Sequence, residues 1–172
     1  FLFPLVYPQA NAEFGHVLRK GYGLKKLSQE VRLAGSIGEG IDWIVGGFYT
    51  REKIYYTLHP SATNPNNGGV YGIPLIWVDD LTFKEYAVFT NITARLSEQF
   101  DVQFGARYSE NRQNLTHRQW ITFAPNSPFD FSVVSPSSKG HSFTYQVTPR
   151  FKPSPDHMIY ARLATGYRPG GP

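Results

Sequence analysis

Between Tyr86 and Tyr108 the chain alternates apolar and polar side chains with a period of two, and this constrains the fold more than any other feature. Tyr86, Val88, Thr90, Ile92, Ala94 and Leu96 occupy the even positions, against Ala87, Phe89, Asn91, Thr93, Arg95 and Ser97. The alternation resumes after a short break as Phe100, Val102, Phe104, Ala106 and Tyr108, against Asp101, Gln103, Gly105, Arg107 and Ser109. Successive side chains of a strand point to opposite faces, so two such segments joined by a tight connection predict a long antiparallel hairpin with one apolar face. Apolar must oppose apolar across the hairpin, which demands an odd loop. With residues 97–99 as that loop, Leu96 opposes Phe100 and Arg95 opposes Asp101 on the polar face.

The same period recurs at Phe143, Tyr145, Val147, Pro149 and Phe151, and again at Ile159, Ala161, Leu163, Thr165 and Tyr167, with residues 153–156 as the turn between them. Leu27, Val31 and Leu33 against Glu30 and Arg32 form a weaker strand, joined through Gly38-Glu39-Gly40 to a run from Ile41. Around Trp43 to Phe48 that run is apolar on both parities, so its faces are not assigned by period. Six strands are expected, near 24–36, 41–58, 82–97, 100–117, 141–152 and 157–168. Their connections alternate between short turns and two long loops, 59–81 and 118–140, which places all the turns at one end of a sheet and both loops at the other. The expectation is an all-β fold of antiparallel up-and-down strands forming part of a transmembrane β-barrel, with short periplasmic turns and long extracellular loops.

Dimensions and composition agree with that reading. Ten steps of strand from Tyr86 to Leu96 span ~33 Å, or about 25 Å of height after a ~40° tilt, the thickness of an outer-membrane barrel's apolar band. Phe100 at one end, with Tyr86 and Tyr108 at the other, would lie in its two aromatic girdles. No stretch reaches the ~18–20 apolar residues of a membrane helix. A mean hydropathy of −0.34 does not argue against a barrel, because alternating strands average out. Charged residues make up 17%, 17 basic against 13 acidic, too few for a nucleic-acid-binding arm. Cysteine is absent, which excludes disulfide scaffolds and thiolate metal sites. The alternative fold is a soluble β-sandwich, whose strands ordinarily run about 5–6 residues. Single-chain barrels begin at about eight strands, so six imply a partial barrel: a loop segment over 1–23, six strands over 24–168, and the start of another loop at 169–172.

Several stretches resemble the barrel of TonB-dependent outer-membrane receptors. The closest is Ile159-Tyr160-Ala161-Arg162-Leu163-Ala164-Thr165-Gly166-Tyr167-Arg168-Pro169-Gly170-Gly171, with the family's Tyr-Ala start and Gly-aromatic-Arg-Pro-Gly-Gly exit. Gln29-Glu30-Val31-Arg32-Leu33, Trp43-Ile44-Val45-Gly46-Gly47-Phe48-Tyr49 and the hairpin 89–109 follow in family order, so the resemblance covers roughly 24–172. It implies a barrel of about 22 strands plugged by an N-terminal domain. It also implies import of a scarce small-molecule ligand such as a ferric siderophore, cobalamin or an oligosaccharide, driven through the TonB–ExbB–ExbD complex. Outer-membrane lipid would surround it. No plug, TonB box or closing terminal aromatic is recognisable in the chain, so the resemblance carries over no gating or energy-coupling residue.

No catalytic constellation is legible: there is no Ser-His-Asp order and no phosphate-cradling glycine loop, so neither an enzyme nor a cofactor is expected. The five histidines lack ligand spacing and read as loop or turn residues, and no metal is expected. His117 and His141 bracket one long loop, which would allow them to meet. Arg32, Arg95, Arg107, Arg150 and Arg162 fall on the lumen parity, where they could guide an anionic ligand. A wet, salt-bridged interior lined with Glu30 and Asp101 explains them more plainly. Tyr55, Tyr56, Tyr71, Trp77, Trp120 and Phe123 in and near the long loops could stack on a ligand; girdle anchoring and loop packing account for them equally well. A soluble carbohydrate-binding module and a passive porin-like barrel are the competing functions.

Overall fold

The computed structural model describes residues 15–73, 75–121, 128, 130–168 and 170. Nine strands form one antiparallel sheet. The long ones are β1 (Gly15–Ile37), β2 (Ile41–Thr63), β4 (Leu75–Arg95), β5 (Phe100–Ile121) and β7 (Ser137–Ser154). The short ones are β3 (Val70–Gly72), β6 (Asp130–Val134), β8 (His157–Tyr160) and β9 (Leu163–Ala164). Each long strand pairs with the next along the path β1-β2-β4-β5-β7-β8, while β3, β6 and β9 extend β2, β5 and β7. All substantial packing between strands is edge to edge, so this is a single layer and not a sandwich.

The two faces of that layer are inverted relative to a soluble sheet. Across one face run Thr50, Ser109, Asn111 and Thr148, at 3–6% exposure. Across the other run Val31, Leu33, Val88 and Phe143, at 61–69%. A flat single sheet would expose both faces alike, so the sheet curls toward its polar side. That is the geometry of a barrel wall with a wet lumen and an apolar exterior.

The hairpin register is as its parity demands. Arg95 opposes Asp101, Thr93 opposes Gln103 and Val88 opposes Tyr108, and the Leu96 and Ser97 amides both donate to the Phe100 carbonyl at 2.9 and 3.0 Å. Register also assigns the faces of β2 that period leaves open. Asp42, Ile44, Gly46, Phe48 and Thr50 lie in ladder rungs with the lumen residues of β4, and Trp43, Val45 and Tyr49 lie with the outward ones. Gly46 is needed there, because a Cβ would fall 2.4 Å from the Phe89 ring and 2.8 Å from the Val31 carbonyl. At the β1–β2 turn Gly38 takes φ +57°, the left-handed conformation that glycine adopts without strain.

Strand lengths differ from expectation. β1 begins at Gly15, so residues 15–23 are strand and not loop. β2 continues to Thr63 and β4 begins at Leu75, which shrinks the first long connection from 59–81 to 64–74. The second contracts from 118–140 to 122–136 and itself carries β6. The added length is apolar on both parities over 75–78 and mostly small or polar over 59–63 and 137–140, so period analysis that looks for one apolar face stops short of it. The pairing does not stop, since backbone hydrogen bonds need no apolar side chains. At ~3.3 Å per residue the 23 residues of β2 reach ~73 Å, so the wall stands well beyond a ~25 Å apolar band.

The sixth strand, expected over 157–168, is instead two short pairings on β7, with a register shift between Phe151 and Ser154. It is held from one side only. Its continuation turns onto the polar face, where Asn111 donates to the Tyr167 hydroxyl at 3.0 Å.

Candidate functional site

The polar face carries an ordered column of charge. Each of the five expected arginines lies on it with an acceptor beside it. Arg107 donates to Glu85 at 2.7 Å and Arg150 to Asp101 at 2.5 Å, while Arg32 meets Glu30, Arg95 meets Asp42 and Arg162 meets Gln146. Arg95 and Asp101 share a rung but do not bond to each other. Arg95 reaches diagonally to β2, and Asp101 takes Arg150 and, at 3.4 Å, Lys152 from β7. Lys26 and Glu52, direct partners across β1 and β2, close at 2.6 Å. Arg32 also stands over the Phe89 ring at 5.7 Å and Arg107 over Phe48 at 5.1 Å. The lumen wall is thus salt-bridged along its height, and its cations are held in place.

Higher on the same face, the upper parts of β4 and β5 bring two of the expected aromatics, Tyr56 and Trp77, together with Tyr22, Asp79 and His117, which sequence reasoning did not place there. Asp79 opposes His117, and Trp77 opposes Gln119. His117 Nδ1 lies 2.7 Å from Asp79 Oδ1, and the Trp77 ring meets the imidazole edge-on at 4.8 Å and 85°. Trp77 Nε1 is buried and finds no hydrogen-bond partner among the described residues. Tyr56 opposes Asp79 from β2, and Tyr22 opposes Tyr56 from β1. A rung of Tyr22, Tyr56, Asp79 and His117, capped by Trp77, presents ring faces and a histidine-bound carboxylate to the lumen. The signal that could have revealed it is the parity of β4 carried back past residue 82 and of β5 carried past 117.

The other expected aromatics separate. Tyr55 and Trp120 have the outward parity, and Trp120 packs on Phe131 of β6 at 4.9 Å. Tyr71 is exposed on β3, and Phe123 lies outside the described residues. His117 and His141 do not meet. His141 opposes Glu110 on the outward face and stacks on Tyr108 at 6.5 Å, because the connection between the two histidines is itself a paired extension of the sheet. Among the described residues no group of three or more His, Asp or Glu could hold a metal ion.

An apolar-out, polar-in wall of alternating short turns and tall hairpins finds its match in one family. The profile of the TonB dependent receptor-like β-barrel covers residues 7–171. The chain belongs to that family. Among solved structures, this receptor barrel is similar to the ferric yersiniabactin uptake receptor FyuA from Yersinia pestis, with a TM-score of 0.74 at 17% identity. The likeness covers 90% of this chain and 22% of that one, so the barrel piece spans about a fifth of the length of the receptor it matches. No curated protein sequence matches it. The family is one of outer-membrane transporters and receptors and not of enzymes, and the receptor barrel carries the strand-only part of that architecture.

Proposed function

We propose that this chain forms part of the barrel wall of an outer-membrane transporter that imports a scarce small-molecule ligand, a ferric siderophore ahead of cobalamin or an oligosaccharide. The observation that carries the reading is the inverted sheet, apolar outside and ion-paired within, because only surrounding lipid makes that arrangement favourable. The siderophore preference is supported by the name of the similar Yersinia receptor. Energy would come from the TonB–ExbB–ExbD complex, acting on a part of the transporter other than this wall.

Ligand contact in this reading belongs to Trp77 and Tyr56, with Tyr71 at the rim. Arg32, Arg95, Arg107, Arg150 and Arg162 set the potential of the wall below, their charges largely balanced by the acceptors beside them. Tyr55 and Trp120 anchor the wall's outer surface. The test is uptake of radiolabelled ferric siderophores by cells that carry the full-length protein as their sole receptor for them. Uptake should require both the protein and a functional TonB, and Trp77→Ala should weaken ligand binding by about tenfold, as removal of one stacked aromatic contact does. Uptake that persists without TonB would point to a passive porin, and no uptake of any candidate would overturn the import reading.

A further inference from the structure

The strand that follows the 155–156 turn keeps one register along β7 and then leaves it. Phe151 pairs with Ile159, Arg150 with Tyr160, Val147 with Leu163 and Gln146 with Ala164, so each step up β7 is matched by one step along its partner. Ile159 and Leu163 stand exposed on the outward parity, as their partners Phe151 and Val147 require. Continued in that register, the strand would set Tyr167 opposite Phe143, which is itself the partner of Tyr108 on the outward face. Tyr167 lies on the lumen side instead.

The departure has a local cause. Hydrogen-bonded partners in an antiparallel ladder exchange two backbone bonds, amide to carbonyl in each direction. Thr165 N–H donates to the Tyr145 carbonyl at 2.9 Å, but the Tyr145 N–H donates to the Thr165 hydroxyl, also at 2.9 Å, in the place a ladder gives to the carbonyl. A threonine hydroxyl that takes a ladder donor offers the backbone an alternative to the sheet. Beyond it the lumen side holds a fitted seat. Asn111 donates to the Tyr167 hydroxyl at 3.0 Å, Gln113 donates to the Gly170 carbonyl, and Gly140 leaves room where a Cβ would stand 2.9 Å from that hydroxyl. Asn111 and Gln113 are buried. Between this segment and the wall lies a cleft of about 280 Å³, lined by Glu85, Arg107, Ser109, Asn111, Ser142 and Thr144.

We propose that residues 165–168 form a strap with two seats: one against Asn111 that closes the lumen cleft, and one along β7 that opens it by carrying Tyr167 to the outer face opposite Phe143. Opposing forces act on the strap. The lumen seat gives the buried Asn111 its acceptor and holds the Tyr145 donor on a side chain. The wall seat pairs the β7 edge above Tyr145. Phe143 lies six residues above the rung that holds Ile41, Ala94, Val102 and Pro149, hence ~20 Å along the strand, within the span of a ~25 Å apolar band after tilt. Backbone left unpaired against lipid at that height is destabilising, so the membrane favours the wall seat while the lumen contacts favour the other. Two discrete packings of one segment, each with its own hydrogen bonds, make a bistable element. The inference goes beyond the transport reading, because it concerns a movable part of the wall and not what is carried.

The test uses the full-length receptor in lipid vesicles. Ser142→Cys places a thiol in the cleft, and its rate of reaction with a small hydrophilic methanethiosulfonate reads how often the strap leaves it open. Thr165→Val removes the hydroxyl that holds the Tyr145 amide, and Tyr167→Phe removes the bond to Asn111. Each should raise the rate about fivefold, the effect of one hydrogen bond, whereas Thr165→Ser keeps the hydroxyl and should stay within about twofold of the parent. A strap that merely loosened would also label faster, so the wall seat is read separately. Phe143→Cys and Tyr167→Cys come to cross-strand spacing when the strand runs on, and mild oxidation should then close a disulfide, severalfold faster with Thr165→Val. Labelling unchanged by both Thr165→Val and Tyr167→Phe would show a fixed segment and overturn the switch. Faster labelling with no disulfide would overturn the wall seat and the proposal with it. Neither readout involves uptake, so a receptor that imports none of the candidate ligands can still show both seats.

Discussion

At the scale of single residues, the wall is held by fits and pairings that cross strands. Gly46 is the sharpest case, because the Phe89 ring lies where its side chain would be and Arg32 stands over that ring. Gly46→Val should therefore destabilise the folded barrel by ~1–3 kcal/mol, the range for overpacking a filled site. Guanidinium unfolding of the full-length protein in lipid vesicles would measure it. Phe89→Ala in the Gly46→Val background should recover part of the loss, and an additive double variant would show that ring and glycine do not meet. The sequence announced which residues face the lumen wherever one parity was apolar. It did not announce their partners: Arg95 and Asp101 were legible as a rung, yet each bonds to a third strand that a two-strand argument does not contain. His117 with Asp79 was illegible for a related reason, since neither residue belongs to an apolar stripe.

At the scale of elements, the strand hairpins are taller than the apolar stripe that reveals them. Short turns at 38–40, 96–99 and 155–156 lie at one end of the sheet, and the connections 64–74 and 122–136 at the other, because an even number of long strands separates the latter. Both long connections should therefore face the same side of the membrane, outward. In the full-length protein, cysteines replacing the exposed Asn67 and Val133 should label in intact cells with an impermeant maleimide. A cysteine replacing Glu98, exposed in a short turn, should label only after the outer membrane is opened. Labelling of Glu98→Cys in intact cells would invert the topology, and labelling at only one of the two long connections would break the strand order. Ser127, in the second connection, lies outside the described residues.

At the scale of the whole molecule, one layer with its large apolar side chains outward has no core of its own. Among the described residues only Ala62 and Ala87 are buried hydrophobics, whereas the buried polar groups include Thr50, Ser109, Asn111 and Gln113. Hydrophobic burial at ~25 cal/mol per Å² must therefore come from lipid, and the free edges at β1 and β8 must find further strands of a closed wall. The 172-residue chain expressed alone in the cytoplasm without detergent should collect in inclusion bodies. A soluble monomer with a sharp, cooperative melt would contradict the wall and revive the sandwich. The sequence by itself determined the period, the parity of the faces, the odd turn after Leu96 and the alternation of short and long connections. Each of these follows from side chains at neighbouring positions, where alternation maps directly onto up and down. Only the tertiary structure decided how far the strands run past the membrane, which face of β2 looks inward, how the sixth strand frays onto the lumen side, and which cations align in one rung on the outer face. These depend on register between strands far apart in sequence, and a rung such as Arg51, Lys84, Arg112 and Lys139 exists only once four strands have been laid side by side.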